Sequence, residues 1–228
     1  MTDPNQPPPN HRFRITFVKK TQVKYISHLD TVLAWERALR RARIPLAYSH
    51  GFNPRPKIQV ASGLPLGTIG SAEILDIIVT DPVDPADALA RIAVSLPDGI
   101  AIRSIEEVPL KTSSLQSLLR RADYRAIVET KLSSDELTRR IEALLAADKV
   151  IQARRRKKRD EAIDLRPWLH TLRLEAMQDG QAVLIMQLTA GQFGNLRPEE
   201  ILKALDLADN WAEIERTRLI FEGDPLLA

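Results

Sequence analysis

The chain has no cysteine. This excludes disulfides, cysteine nucleophiles, thiolate zinc sites and cysteine-held iron–sulfur clusters, and it fits a reducing compartment. Aromatic residues are few, with five Phe, three Tyr and three Trp among 228 residues, so any stacking on bases falls to a handful of rings. No apolar run approaches the roughly 20 residues that span a bilayer, and no membrane association is expected. Walker, dinucleotide-binding, zincin, EF-hand and nucleophile-elbow patterns are all missing, so no metal and no cofactor is expected. With 44% hydrophobic residues, the chain can bury one large core or two small ones.

What the chain does have is charge unevenly placed. His11 to Lys57 holds eleven Lys or Arg and two acids, a net +9, while Ile58 to Leu110 holds two bases and eight acids, a net −6. The overall +3 conceals this asymmetry. A concentrated positive field responds to polyanions, above all nucleic acid.

Periodicity predicts two α+β modules. Met1 to Asn10 is polar and proline-rich, lacks the apolar core of a secretory signal, and reads as a disordered arm over 1–10. In the first module, 11–110, alternation over Arg12 to Lys20 predicts a strand with Phe13, Ile15 and Phe17 on one face. Ser27 and Asp30 predict a capped helix start, with Leu29, Val32, Leu33 and Leu39 facing inward and Arg37, Arg40 and Arg41 sharing one face. Strands follow over 57–61 and 73–80, then a helix capped by Asp84 and a strand over 100–108. A linker is expected over 111–122. The order recurs in the second module, 123–228, with strands over 124–129, 150–155, 172–176, 183–188 and 214–221 and helices opening at Ser133 and Pro198. The fold class predicted is α+β, two tandem ferredoxin-like (split βαβ) modules with antiparallel sheets.

The sharpest local feature is Ser49-His50-Gly51-Phe52-Asn53-Pro54-Arg55-Pro56-Lys57. Its prolines stiffen the backbone on either side of Arg55, and Gly51 admits a positive φ. Arg55 and Lys57 are thus offered to an anion at low entropic cost, the first as a planar fork and the second as a point charge. Phe52 and Tyr48 are candidate stacking rings, and Asn53 is a candidate base reader. Arg37, Arg40 and Arg41 are expected beside this loop. The run Arg154 to Arg159, of which Arg155, Lys157, Lys158 and Arg159 are candidate contacts, predicts a basic hairpin tip with little sequence discrimination. Arg166 joins the candidate anion-binding set. His28 and His50 are the candidates for general base if the chain cleaves RNA without metal, although Asp30 near His28 is already explained by capping.

Tyr25-Ile-Ser-His-Leu-Asp30, Glu36-Arg-Ala-Leu-Arg-Arg41, Ser49 to Lys57, Pro65-Leu-Gly67 and Ile163-Asp-Leu-Arg-Pro167 together resemble the bacterial radical-SAM-linked protein family. The resemblance covers most of the chain from Arg12 onward. That family has no assigned reaction and is fused to, or encoded beside, a radical-SAM protein with a cobalamin-type domain. The resemblance implies such a partner, a cytoplasmic location and a role near RNA modification or ribosome assembly. The family pattern has Gln where this chain has His50, which puts in doubt any role that needs an amide there. The radical chemistry would belong to the partner, because this chain lacks the cysteines. The expectation is a non-catalytic accessory module that binds RNA, tRNA or rRNA, with no DNA partner. A metal-independent endoribonuclease, and a protein adaptor docking the radical-SAM protein through apolar or acidic surfaces such as Glu73 to Asp87 or binding a small anion at the Arg55 loop, are the alternatives.

Overall fold

The computed structural model describes residues 10–156 and 159–225, without side chains for 155–160. The expected disordered arm therefore lies outside the described residues except for Asn10, and Lys157 and Lys158 lie outside them entirely. The chain divides into two compact units at Leu118/Leu119. It is α+β, and every strand pair described within either unit is antiparallel.

The first unit comprises β1 (His11–Lys19), α1 (His28–Arg41), β2 (Ile58–Val60), β3 (Thr68–Val79), α2 (Pro85–Ala93), β4 (Ile100–Val108) and the short α3 (Leu115–Leu118). The strands lie in the order β4-β1-β3-β2. Alternation in β1 sends Phe13, Ile15, Phe17 and Lys19 into the interior. There Trp35 and Leu39 of α1, Leu75, Ile77 and Val79 of β3, and Ile92 of α2 complete the core. Trp35 meets Phe17 edge-on, with ring centroids 5.1 Å apart and an interplanar angle of 67°. Truncating Trp35 to alanine would cost about 3–5 kcal/mol by leaving a cavity at this contact.

The helix turns differently from the sequence expectation. Leu29 and Leu33, expected inward, are exposed, and the buried positions are Thr31, Trp35, Ala38 and Leu39. The largest apolar side chain sets the rotation, because burying Trp35 removes more surface from water than burying either leucine.

The opposite face of the sheet holds a charge cluster. Asp76 is buried and accepts from Arg12 Nε at 2.8 Å and from Arg14 Nε at 2.9 Å. Arg12 also donates to the carbonyls of Thr112 and Ser113, which ties the segment before α3 to β1. Residues 111–122, expected as a linker, carry this segment, α3 and the start of β5.

The second unit comprises β5 (Leu119–Glu129), α4 (Ser134–Ala146), β6 (Ile151–Arg156), β7 (Arg159–Asp164), β8 (Leu169–Gln178), β9 (Gln181–Thr189), α5 (Pro198–Ala204) and β10 (Ala212–Phe221). Its sheet runs β10-β5-β9-β8, and β6 and β7 pair separately as a hairpin. Counted within each unit without that hairpin, the strands follow one order, 4-1-3-2. The core packs Leu137, Ile141 and Leu144 of α4 and Ile201 and Leu202 of α5 with Tyr124, Leu184 and Met186 of the sheet. Asp164 fixes the hairpin base by accepting from the backbone N–H of Val150 at 2.8 Å and of Arg166 at 3.0 Å.

No helix among the described residues is long and apolar enough to cross a membrane.

Candidate functional site

Helix α1 begins where the sequence predicts. Ser27 Oγ accepts from the Asp30 N–H at 3.1 Å, and the Asp30 carboxylate accepts from the Ser27 N–H at 3.3 Å and from its hydroxyl at 2.7 Å. The exposed stripe of the helix runs through Leu29, Leu33, Arg37 and Arg40. Its first half is apolar and its second half is cationic. Arg40 and Arg41 occupy the last turn, where the helix dipole favours positive charge.

Beyond Arg43, which adopts φ 53°, the chain turns at Pro45 and enters a narrow ribbon over 46–57. Backbone bonds hold it: the Ser49 N–H donates to the Arg55 carbonyl, and the Lys57 N–H to the Ala47 carbonyl, both at 2.8 Å. The Arg55 N–H donates to Ser49 Oγ at 3.0 Å. The ribbon is anchored on β3, because the Ala47 N–H donates to the Ile78 carbonyl at 2.8 Å and the Ile78 N–H to the Lys57 carbonyl at 3.1 Å. The tip, from His50 to Arg55, is exposed throughout, and Gly51 adopts φ +126°, a conformation closed to most L side chains.

Helix and ribbon meet where the Arg40 guanidinium lies over the Tyr48 ring, 5.8 Å from its centroid. The cations then divide by their partners. Arg40 is ion-paired with Glu36 at 2.8 Å, and Arg41 donates to the Ser95 carbonyl. Arg37, Arg55 and Lys57 are exposed, with no side-chain partner among the described residues. No Asp or Glu occurs from position 37 to 72, so the field around the ribbon goes uncompensated by its own segment. Phe52 and Asn53 are both exposed at the tip.

Other expected site residues serve structure. Arg166 donates to the Leu145 carbonyl at 3.2 Å and the Leu169 carbonyl at 3.0 Å, which commits its guanidinium to backbone in the second unit. Arg154, at the start of the basic run, holds Glu200 at 2.7 Å and stacks over Trp168 at 5.4 Å. The side chains of Arg155 and Arg159 lie outside the described set, and the register pairs Arg155 with Asp160 and Arg156 with Arg159. Of the acids over 73–87, Glu73 and Asp76 are buried, while Asp81, Asp84 and Asp87 are exposed, with Asp84 capping α2 and Asp87 pairing with Arg91 at 2.9 Å.

His28 and His50 are exposed, and neither has a hydrogen-bond partner among the described residues. A general base needs an orienting group and an adjacent nucleophile. Asp30, the nearest carboxylate in sequence to His28, is committed to Ser27. Among the described residues no group of three or more His, Asp or Glu could hold a metal ion.

One cluster was not picked out from the sequence. Lys19 and Glu73, buried on β1 and β3, line a small recess with Phe17, Thr31, Leu64 and His28. Lys19 Nζ donates to the Lys24 and Ile26 carbonyls at 3.3 and 3.0 Å, which secures the segment that delivers Ser27 to the helix start. Gly70 makes room for Glu73, since a Cβ there would stand 2.8 Å from the carboxylate. The available signal was that Lys19 keeps the period-two register of Phe13, Ile15 and Phe17.

Residues 12–198 match the family described as "Uncharacterized protein conserved in bacteria (DUF2344)". No curated protein matches the chain. Among solved structures, the chain is similar to one in a Cbf5-Nop10-Gar1 complex, with a TM-score of 0.51 at 12% identity, over 91% of this chain and 48% of that one. It is similar also to an H/ACA RNP bound to a substrate RNA containing 2'-deoxyuridine, with a TM-score of 0.49 at 12% identity, over 91% and 47%. The chain spans about half the length of these relatives. At such identity the first likeness concerns the fold alone.

Proposed function

We propose an RNA-binding, non-catalytic accessory role for this chain, which belongs to the family of uncharacterized proteins conserved in bacteria. The observation that carries the reading is the set of exposed cations without a side-chain partner among the described residues, Arg37, Arg55 and Lys57, on a stiff ribbon and its neighbouring helix, with no acid from 37 to 72. A carboxylate-bearing surface would neutralise itself, and this one awaits an external anion. Arg55 and Lys57 contact phosphates, Arg37 extends that contact along α1, and Phe52 and Asn53 face the bases. Both units are read as ferredoxin-like modules, which their shared strand order supports. RNA, either tRNA or rRNA, is favoured over DNA because stacking and edge reading from a protruding tip suit splayed single strands.

The partner proposed is a radical-SAM protein with a cobalamin-type domain, acting in the cytoplasm on the RNA presented to it. Its docking surface is the apolar group Tyr25, Leu29, Leu33 and Leu66, all exposed around the start of α1. Gly67 brings two of these segments together, because its N–H donates to the Lys24 carbonyl at 2.9 Å.

The test is equilibrium binding to structured RNA and to DNA of the same sequence. The reading predicts tighter binding to RNA, weakened by Arg55→Ala with Lys57→Ala and unchanged by Arg166→Lys if the fold survives. Equal binding to both polymers, or indifference to the double substitution, overturns it. Intact RNA after long incubation distinguishes a binder from the endoribonuclease alternative.

A further inference from the structure

We infer that the ribbon tip selects unpaired nucleotides, with Phe52 as the stacking platform for one unstacked RNA base. The inference rests on the RNA reading and names its substrate class.

Phe52 has a relative exposure of 106%, so its ring packs against none of the described residues. A wholly solvated ring is costly to keep, since phenylalanine ordinarily buries its surface. Tyr25, the next most exposed aromatic of the first unit, is covered in part by Lys24, whose ammonium stands 5.4 Å from its centroid. Phe52 has no such cover.

The backbone that carries the ring is held in place. Gly51 at φ +126° sets the turn before it, and Pro54 restricts Asn53 after it. Ser49 and Arg55 close the ribbon just below through two hydrogen bonds, one backbone and one to the Ser49 hydroxyl. A ring with two side-chain torsions on a fixed backbone loses little freedom when it binds.

Its surroundings decide among ligands. Arg55 and Lys57 lie at and beyond the tip without side-chain partners among the described residues, and no acid lies between 37 and 72, so the ligand is anionic. The other tip residues, His50, Gly51, Asn53 and Pro54, supply no second large apolar group, which is too little surface for a membrane interface. Paired RNA hides its base faces within the stack and presents a deep, narrow major groove, so a protruding phenyl ring finds no partner there. An unpaired base in a loop or bulge offers both a face for the ring and a phosphate for each cation. The exposed Asn53 amide can donate to and accept from the edge of the same base.

The experiment compares full-length protein with Phe52→Ala, Phe52→Trp and the Arg55→Ala/Lys57→Ala pair. The probes are a stem-loop RNA carrying 2-aminopurine in its loop and the same stem as a blunt duplex, read by anisotropy and by 2-aminopurine quenching. The expected result is a preference for the stem-loop, loss of about tenfold affinity for it in Phe52→Ala, and no change on the duplex. Phe52→Trp keeps both affinity and quenching, and the double variant weakens both RNAs. Equal wild-type affinity for the two RNAs, or indifference of the stem-loop to Phe52→Ala while the double variant weakens it, overturns the inference and leaves the RNA reading standing. Binding to neither RNA removes both. Loss of a purified acidic protein partner in Phe52→Ala, with RNA binding unaltered, assigns the ring to protein docking and also overturns the inference.

Discussion

The guanidinium of Arg40 lies over the ring of Tyr48 at 5.8 Å, and this contact couples the last turn of α1 to the base of the cationic ribbon. An exposed cation–π pair is worth about 0.5–1 kcal/mol, enough to bias the ribbon's position without fixing it. Tyr48→Ala should therefore raise hydrogen exchange at the Ser49 and Lys57 amides while leaving the Trp35 core protected. RNA affinity should fall by about two- to fivefold in step. Unchanged exchange at those amides would show that the β3 anchor alone sets the ribbon.

Stability of the first unit should respond strongly to the Asp76 cluster. Removing the carboxylate leaves Arg12 buried with only the Thr112 and Ser113 carbonyls. Breaking such a pair costs about 3–5 kcal/mol, so Asp76→Ala should lower the urea midpoint sharply. Glu107→Ala, which removes a half-exposed partner of His11, should shift the midpoint by less than about 1 kcal/mol equivalent.

Gly51 tests the tip's shape separately from its charge. Alanine at φ +126° is strained by roughly 1–3 kcal/mol, which the tip relieves by changing conformation. Gly51→Ala should weaken RNA binding and leave the thermal midpoint nearly unchanged, because the strain sits in an exposed turn. A large drop in midpoint instead would place the tip within the cooperative fold.

Two groups of the second unit make it sensitive to acid. Burial first, then Arg121 and Arg166, lower the pKa of His170 beneath its ordinary 6.5. Between that lowered value and 6.5 the unfolded chain binds more protons than the folded one. The His170 contribution is therefore complete above 6.5 and is lost as pH falls toward the lowered value. Asp164 lies below its ordinary 3.8, chiefly because it accepts from the Val150 N–H, so its contribution is complete above 3.8 and is lost as pH falls through the lowered value. Melting temperatures should decline as pH falls below 6.5, and less steeply in His170→Gln. A profile identical in the variant would remove His170 from the acid response.

Much of this fold could be read in the chain's periodicities, and less of its site. The alternation Phe13-Ile15-Phe17 placed β1, and the Ser27 and Asp84 caps placed α1 and α2, because those signals are local. The rotation of α1 was misread because leucine spacing alone fits two phases, and only packing against Phe17 favours the one that buries Trp35. Stiffness in the ribbon was visible in Pro54 and Pro56, and its turn in Gly51. Which cations stay available was not, since the fate of Arg41 depends on Ser95 and that of Arg166 on Leu145, contacts made across long sequence separations. Lys19 kept the strand's register all along, but a lysine in a core position reads as an exception until its carbonyl partners are seen.

The central claim is that the exposed cations of the ribbon and α1 meet phosphates, and the salt dependence of RNA affinity tests it most directly. Each phosphate contact contributes about 0.7 to the slope of log affinity against log salt for single strands. With Arg37, Arg55 and Lys57 engaged, the wild-type slope should be at least about −2, and the Arg55→Ala/Lys57→Ala variant should be shallower by about 1.4. A variant slope equal to that of the wild type would contradict the account.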